Sequence, residues 1–215
     1  METFTPTNFK SRWLAEVVRN DPLPDDVQLI TAAAPRLADT RLPESARQFL
    51  AEAGLPKSCA PCLTFEEVGK GLPRIWELYS PTEWNAEEKR PVEHYLMIGG
   101  DGCGSPVCVD ERDGRVVVVD HELFSDPERL AARIQLVNSS IPLLAEALLI
   151  VNALPMRMRR DALLILDPPA LTKGSFWSYE SNITAHPDDL DAALNQKKSW
   201  GEKVWETLTR PLKLR

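Results

Sequence analysis

Long hydrophobic runs are absent from this sequence. No apolar stretch reaches the roughly 18 residues that a bilayer-spanning helix requires, so we expect no membrane association. The first residues, METFTPTNFKSRWLAEVV, lack a basic start followed by an apolar segment, and we therefore expect no secretory signal. Together these absences predict a cytoplasmic protein whose 4 cysteines stay reduced, because structural disulfides are uncommon in that compartment.

Histidines are few, and familiar catalytic motifs are missing. The sequence contains only His94, His121 and His186. His94 opens one predicted strand and His121 closes another, so we expect these two to lie near each other on the sheet. Neither the G-x-S-x-G elbow of serine hydrolases nor the H-E-x-x-H helix of zinc proteases occurs. The Gly-Lys-Ser/Thr sequence of phosphate-binding loops is also missing. The sequence therefore predicts a protein that is not an enzyme and needs no cofactor.

Positive charge is in deficit. The chain has 25 Lys and Arg against 32 Asp and Glu, which gives a net charge of −7 and an isoelectric point near 5.1. This balance argues against direct nucleic-acid binding, which needs a basic surface to displace counterions. It is compatible with a basic protein partner, because complementary fields speed the encounter of two proteins. It is equally compatible with acidity that serves solubility alone.

The hydrophobic pattern predicts helices first and strands after them. Apolar side chains recur at helical spacing over residues 8–19, and the segment LPESARQFLAEAGLP at 42–56 ends in Gly54 and Pro56, as helices commonly do. The polar segment 84–93 is predicted to be a mobile loop. Short runs rich in β-branched and aromatic residues are predicted strands at 62–65, 74–80, 94–100, 106–110 and 115–121.

Helical patterns return after the last of these strands. They cover residues 137–154, the start of a helix within 167–183, and a charged helix at 186–208. Since the strands follow one another without helices between them, residues 94–121 at least should form an antiparallel meander. We therefore predict a single α+β domain with a largely antiparallel central sheet flanked by N- and C-terminal helices. The predicted organisation is a helical extension at 1–40, an α+β core at 41–185, and a charged helix at 186–215 packed on the core.

The densest cluster of glycines lies in IGGDGCGSPVCVD, residues 98–110. Gly100, Gly102 and Gly104 run as G-x-G-x-G, whereas a dinucleotide loop needs G-x-G-x-x-G between a strand and a helix. A strand follows these glycines, so we predict a strand reversal in which they shape the turn. Gly114, after Asp113, is predicted to shape the next turn, with a type I′ hairpin connection as one form of it.

The four cysteines leave alternatives open. Cys59 and Cys62 have the two-residue spacing of zinc knuckles and of thioredoxin-like redox pairs. Cys103 and Cys108 would have to complete a four-thiolate zinc site, although their spacing is different. A redox pair should open a helix after a strand, whereas Cys59 follows the end of a helix. We expect all four to act as small hydrophobic residues without a metal, with zinc binding and redox chemistry as the alternatives.

Three segments together resemble the SUKH superfamily, and most closely its fourth family. The first is the helix LPESARQFLAEAGLP (42–56), and the second is YLMIGGDGCGSPVCVDERDGRVVVVDH (95–121), similar to the strand–turn–strand signature of the superfamily. The third joins LVNSSIPLLAEAL (136–148) to LDPPALTKGSFWSYESNI (166–183). The superfamily includes cell-wall regulators and bacterial toxin-immunity proteins. The segment before residue 40 and the tail after residue 186 depart from its pattern.

This resemblance implies a non-enzymatic immunity protein that binds and neutralises a polymorphic toxin. With the acidic charge, it favours a basic toxin domain of nuclease or deaminase type as the partner. A non-inhibitory regulatory scaffold is the alternative. We predict that the partner contacts acidic and aromatic groups near the sheet edge and the 84–93 segment, because tryptophan is a frequent interface anchor. The predicted contact residues are Trp84, Glu87, Glu88, Asp101 and Glu111.

Overall fold

The computed structural model of the 215-residue chain describes residues 5–19, 28–59, 62–79, 84–154 and 156–179. Within that part every helix is too short or too polar to cross a lipid bilayer. The predicted C-terminal helix at 186–215 lies outside the described residues. The α-helices are α1 (Pro6–Arg19), α2 (Ala34–Ala38), α3 (Glu44–Glu52), α4 (Ile75–Leu78), α5 (Ala86–Lys89), α6 (Pro127–Ala132), α7 (Ile141–Ala153), α8 (Met156–Leu166) and α9 (Phe176–Tyr179).

A six-stranded antiparallel sheet forms the centre of the fold. Its strand order, β3-β4-β5-β6-β7-β8, is also the order along the chain, so each strand pairs with its sequence neighbour. A separate antiparallel pair, β1-β2, lies beside it. The predicted α+β class and the meander over residues 94–121 are therefore confirmed. The strands are β1 (Leu29–Ile30), β2 (Leu55–Pro56), β3 (Ser58–Cys59), β4 (Leu63–Thr64), β5 (Tyr95–Gly100), β6 (Pro106–Asp110), β7 (Val116–Val118) and β8 (Gln135–Asn138).

One face of the sheet carries the main hydrophobic core. Alternate residues of the central strands point to this face, among them Ile98 in β5 and Val107 and Val109 in β6. They share the core with α3 and α7. Helix α7 contacts α1, α3 and α8 as well as β8, which explains why its apolar residues extend around most of its surface.

Helix α1 is part of this same core. The side chains of Phe9 and Trp13 are 0% and 1% exposed, and the ring of Phe9 lies 5.3 Å from that of Phe49 in α3. Arg12 also forms an ion pair with Glu146 of α7. The predicted boundary at residue 40 stays a prediction, but α1 packs on α3 and α7 and is not a separate appendage.

The opposite face of the sheet has a thinner cover. Its buried residues, including Met97 and Cys108, lie under α4, α6 and two 3₁₀ helices, Arg90–Val92 and His121–Leu123. These elements have only 3 to 6 residues each. Apolar side chains at the margin of this second cluster consequently remain half-buried. They are Trp76, Tyr79, Trp84, Leu123, Phe124 and Ile134.

Two segments under this face differ from their predicted structure. Within the predicted strand at 74–80, residues Ile75–Leu78 form helix α4, and Arg74 retains a β-bridge to Leu96. The carboxylate of Glu77 accepts a hydrogen bond from the backbone N–H of Arg74 at 2.7 Å and thereby caps the helix.

The segment 84–93, predicted to be a mobile loop, contains α5 and the following 3₁₀ helix. Asn85 caps α5 by accepting hydrogen bonds from the N–H groups of Glu87 and Glu88, and Glu88 accepts one in return from the N–H of Asn85. This is a capping box, so the sequence N-A-E-E stabilises a short helix.

The reversal after β6 is not a two-residue type I′ turn. Only Gly114 has a positive φ, 80°, whereas a type I′ turn requires positive φ at both central residues. Its N–H donates to the carbonyl of Asp110, and the N–H of Asp110 donates to the carbonyl of Arg115. A wider turn therefore connects β6 to β7, still with the predicted glycine in the left-handed position.

A buried polar network attaches the segment after α8 to the rest of the domain. Asp167, 2% exposed, accepts hydrogen bonds from Asn138 Nδ2 (3.0 Å), the N–H of Ser139 (2.7 Å) and the hydroxyl of Ser139 (2.7 Å). Asn138 accepts in turn from the indole N–H of Trp177 at 3.1 Å. The Val-Asn-Ser-Ser and Asp-Pro…Phe-Trp segments of the sequence, about 30 residues apart, thus meet in one set of hydrogen bonds.

Candidate partner-binding surface

Three aromatic side chains meet at one end of the thinly covered face. The ring of Phe124 lies 5.2 Å from that of Tyr79, edge-on, and 5.0 Å from that of Trp84. The indole N–H of Trp84 donates to the carbonyl of Tyr79. We call Tyr79, Trp84 and Phe124 the aromatic triad. Its rings contact one another but are only half-buried. Side chains that anchor a protein interface are expected to have this arrangement.

The glycine-rich loop between β5 and β6 lies against this triad. The hydroxyl of Tyr79 donates to the carbonyl of Gly104 at 2.7 Å. Asp101 accepts hydrogen bonds from the N–H groups of Cys103 (2.8 Å) and Ser105 (3.0 Å), which fixes the loop. Burial raises the pKa of the Tyr79 hydroxyl, and neighbouring acidic groups that include Asp101 raise it further.

The loop is the strand reversal that the sequence predicted. Gly102 and Gly104 have φ values of 77° and 103°, which non-glycine residues rarely adopt, and strand β6 follows immediately. Gly100 instead ends β5 in pairing with Pro106. Gly100 therefore lies just before the turn, whereas the prediction placed it among the residues that shape the turn.

Several carboxylates lie around the aromatic triad, and no cation of the described residues pairs with them. Glu87 and Glu88 follow Trp84 in α5, Asp101 lies in the loop, and Asp120 and Glu122 cap and begin the 3₁₀ helix next to Phe124. Among the described residues, none of these five carboxylates forms an ion pair within 4.0 Å. The surface therefore carries negative charge, not paired with a described cation, beside half-buried aromatic rings.

A polar cleft with a paired carboxylate lies at the opposite end of the same strands. Glu111, 7% exposed, pairs with Arg74 at 2.6 Å and accepts a hydrogen bond from the N–H of Arg41 at 3.1 Å. It lies at the base of a polar cleft of about 380 Å³ that Arg36, Asp39 and Lys70 also line. Five residues of β5, about 17 Å of strand, separate this end from the loop that holds Asp101.

Asp110 at this end is also paired. The guanidinium of Arg112 contacts its carboxylate at 2.7 Å. Burial acts to raise the pKa of Asp110, but hydrogen bonds and the charge of Arg112 outweigh that effect and lower the pKa below its usual value. Glu111 and Asp110 at this end of the sheet are thus each paired with an arginine of the chain.

The two histidines of the sheet lie apart, so the prediction that they are neighbours is wrong. His121 lies beside the loop, where its Nδ1 is 3.1 Å from the hydroxyl of Ser105. His94 precedes β5 at the opposite end, and its Nε2 is 3.1 Å from the carboxylate of Glu93. Strands β5 and β7 run in the same direction, so the start of one and the end of the other lie at opposite ends of the sheet.

The four cysteines do not converge. Cys59 packs against the main core, whereas Cys108 is fully buried on the other face of the sheet, and burial raises its thiol pKa well above the usual value. Cys62 and Cys103 are exposed. In the described part of the chain, no three His, Cys, Asp or Glu side chains are grouped closely enough to hold a metal ion.

Of the five predicted contact residues, the structure places four at the aromatic end and one at the cleft. Trp84, Glu87, Glu88 and Asp101 lie at or next to the aromatic triad, while Glu111 is buried at the other end. Sequence reasoning missed Tyr79 and Phe124. Tyr79 belonged to a run predicted to be a strand, and nothing in the local sequence indicates that Phe124 contacts it.

Comparison with known proteins gives one match. Searches of the curated proteins and of the solved structures return no significant match. The sequence profile of the SUKH-4 immunity protein family matches residues 10–155, more than half of the chain. The matched region includes most of α1, the six-stranded sheet and helix α7. This chain therefore belongs to the SUKH-4 immunity protein family.

Proposed function

We propose that this protein is a non-enzymatic cytoplasmic immunity protein that binds a cognate toxin domain and neutralises it by occlusion. Membership in the SUKH-4 immunity protein family is the observation that carries this proposal. The half-buried aromatic triad supports it, because it offers a partner the kind of anchor that stable protein interfaces use.

The proposed partner is a basic toxin domain of nuclease or deaminase type. Domains that act on nucleic acid need a basic surface to approach phosphates. The net charge of −7 and the carboxylates around the triad, which pair with no cation of the described residues, are complementary to such a surface. Trp84, Glu87, Glu88 and Asp101 are the proposed contact residues. Glu111 was predicted alongside them, but its burial and its ion pair with Arg74 favour a structural role.

Co-expression with the toxin encoded beside this gene tests the proposal. Cells that produce the active toxin domain should form colonies only when this protein is also produced. A catalytically inactive toxin domain should co-elute with it on size exclusion. Unchanged killing without a complex would contradict the proposal, and a complex without rescue would favour the regulatory scaffold instead.

A further inference from the structure

The two ends of the sheet differ in how their acidic groups are compensated. Around the cleft, Glu111 and Asp110 each contact an arginine of the same chain. Around the aromatic triad, the carboxylates of Glu87, Asp101 and Glu122 have no such cation among the described residues. Charge that the chain leaves uncompensated is available to a partner, whereas charge that is already paired is not.

The position of an exposed apolar side chain also favours the aromatic end. Two large hydrophobic side chains of the described residues are notably exposed, Leu14 at 42% and Leu78 at 49%. Leu78 directly precedes Tyr79 of the triad and so lies on the same segment of the chain. Leu14 lies on α1, which packs on the other face of the sheet.

We infer that the aromatic end is the docking surface for the toxin: Leu78 and the aromatic triad form its centre, and Asp101, Asp120 and Glu122 form an acidic rim. The inference rests on the proposed function. Its occupant is a basic protein surface whose arginine or lysine side chains lie against the rings and reach the rim carboxylates. An apolar and aromatic centre inside a charged rim is the usual anatomy of a protein interface.

The chain already contains one contact of the proposed kind. The ammonium group of Lys89 lies 5.7 Å from the centre of the Trp76 ring, on the same face. A cation over an aromatic ring is attracted by the ring quadrupole. The rings of the triad offer the same chemistry to a cation from outside the chain.

Charge favours a basic partner over a second copy of this protein. In a two-fold dimer the same patch lies on both subunits, so the acidic rims would face each other. Like charges brought together oppose association. A basic partner brings opposite charge to the acidic rim, so its association is not opposed by this repulsion.

Two matched pairs of variants test the docking surface. Glu122→Lys reverses an exposed charge at the rim, and Asp39→Lys makes the same change at the exposed edge of the cleft. Leu78→Ser removes an exposed apolar side chain beside the triad, and Leu14→Ser does so on the opposite face. Because all four side chains are exposed, the fold should be retained, and thermal unfolding checks this.

The probe is the purified, catalytically inactive domain of the toxin encoded beside this gene, and surface plasmon resonance gives both rate constants. Glu122→Lys should slow association roughly five- to tenfold at low salt and much less at high salt, because rim charges act on encounter. Leu78→Ser should speed dissociation by about tenfold, as expected of a central interface side chain. Asp39→Lys and Leu14→Ser should leave both rate constants within about twofold of wild type.

The outcomes separate the two proposals. Binding of the wild-type protein with unchanged rates for Glu122→Lys and Leu78→Ser would overturn the docking surface and leave the proposed function standing. A loss of binding confined to Asp39→Lys would do the same and move the interface to the cleft. Failure of the wild-type protein either to bind or to protect cells would end both proposals.

Discussion

Replacing Asp167 should destabilise the whole domain, because this carboxylate is the shared acceptor of the buried polar network. Its two oxygens accept hydrogen bonds from Asn138 and from both the N–H and the hydroxyl of Ser139. In Asp167→Ala these donors lose their acceptor in a region from which water is excluded. In Asp167→Asn the amide oxygen can keep two of the bonds, while the amide nitrogen donates to the hydroxyl of Ser139.

The expected loss of unfolding free energy follows from those hydrogen bonds. A hydrogen bond to a charged group contributes about 1.5–3 kcal/mol, and a buried donor left without a partner costs about 1–3 kcal/mol. Because the hydroxyl can rotate toward another acceptor, Asp167→Ala leaves two donors stranded, Asn138 Nδ2 and the N–H of Ser139. We expect a loss of about 3–5 kcal/mol for Asp167→Ala, a large part of the typical stability of a domain. Asp167→Asn should lose only about 1–2 kcal/mol.

Urea denaturation followed by tryptophan fluorescence measures both losses. Trp177 donates to Asn138 of the network, so its emission should report the same transition. Thr172→Ala, an exposed site nearby whose hydroxyl bonds only locally to the carbonyl of Pro169, is the control and should cost less than about 1 kcal/mol. A loss below 1 kcal/mol for Asp167→Ala, or equal losses for the alanine and asparagine variants, would refute the role given to this carboxylate.

Three further predictions follow from other sites. Gly99→Ala should cost about 2 kcal/mol or more in urea denaturation, because the added Cβ would lie 1.7 Å from the carbonyl oxygen of Thr64. Arg112→Gln should destabilise the protein at neutral pH. The difference in unfolding free energy between Arg112→Gln and wild type should narrow below about pH 4. The pKa of Asp110 is lowered in the folded protein, so the stability that its ionised form contributes is lost as the carboxylate is protonated. The thiol of Cys108, whose pKa is raised by burial, should react with a thiol reagent only after unfolding, which absorbance of the released chromophore measures.

Two of these predictions have an internal control in the chain. Gly100→Ala adds a Cβ whose nearest neighbour is 3.6 Å away, so it should cost clearly less than Gly99→Ala. An equal cost for both would contradict the close approach of β4 and β5. The exposed thiols of Cys62 and Cys103 should react in the folded protein, and equally fast labelling of all the cysteines would contradict the burial of Cys108. A pH-independent effect of Arg112→Gln would argue against the pairing with Asp110.

The central strands and the helices α1, α3 and α7 were predictable because their residues repeat with a clear period, whereas α8 was not predicted. Val116–Val118 and Pro106–Asp110 are short β-branched runs between turn residues, and Ser140 caps the apolar helix α7. The run 74–80 was wrongly predicted to be a strand because a four-residue helix is too short to show a helical period. Its structure depends on the cap from Glu77 and on the buried position of Ile75, neither of which local sequence reveals.

The candidate surface was only partly predictable for a related reason. Trp84 and the acidic residues after it could be selected by residue type alone. Which carboxylates are paired within the chain depends on the fold, so Glu111 and Asp101 could not be distinguished by residue type. The contact of Tyr79 with Phe124 joins segments 45 residues apart and has no local signature.

The packing of α1 sets an order for folding. Neighbours in the sheet are neighbours along the chain, so β5, β6 and β7 can pair across short loops as soon as they are synthesised. Helix α1 must instead wait for α7, because Arg12 finds Glu146 more than 130 residues later. Phe9 can meet Phe49 of α3 earlier, but we expect Phe9 and Trp13 to become fully buried only once α7 has left the ribosome. Docking of the N-terminal helix should then be the last step of folding, the point at which the nascent chain ceases to be a substrate for chaperones.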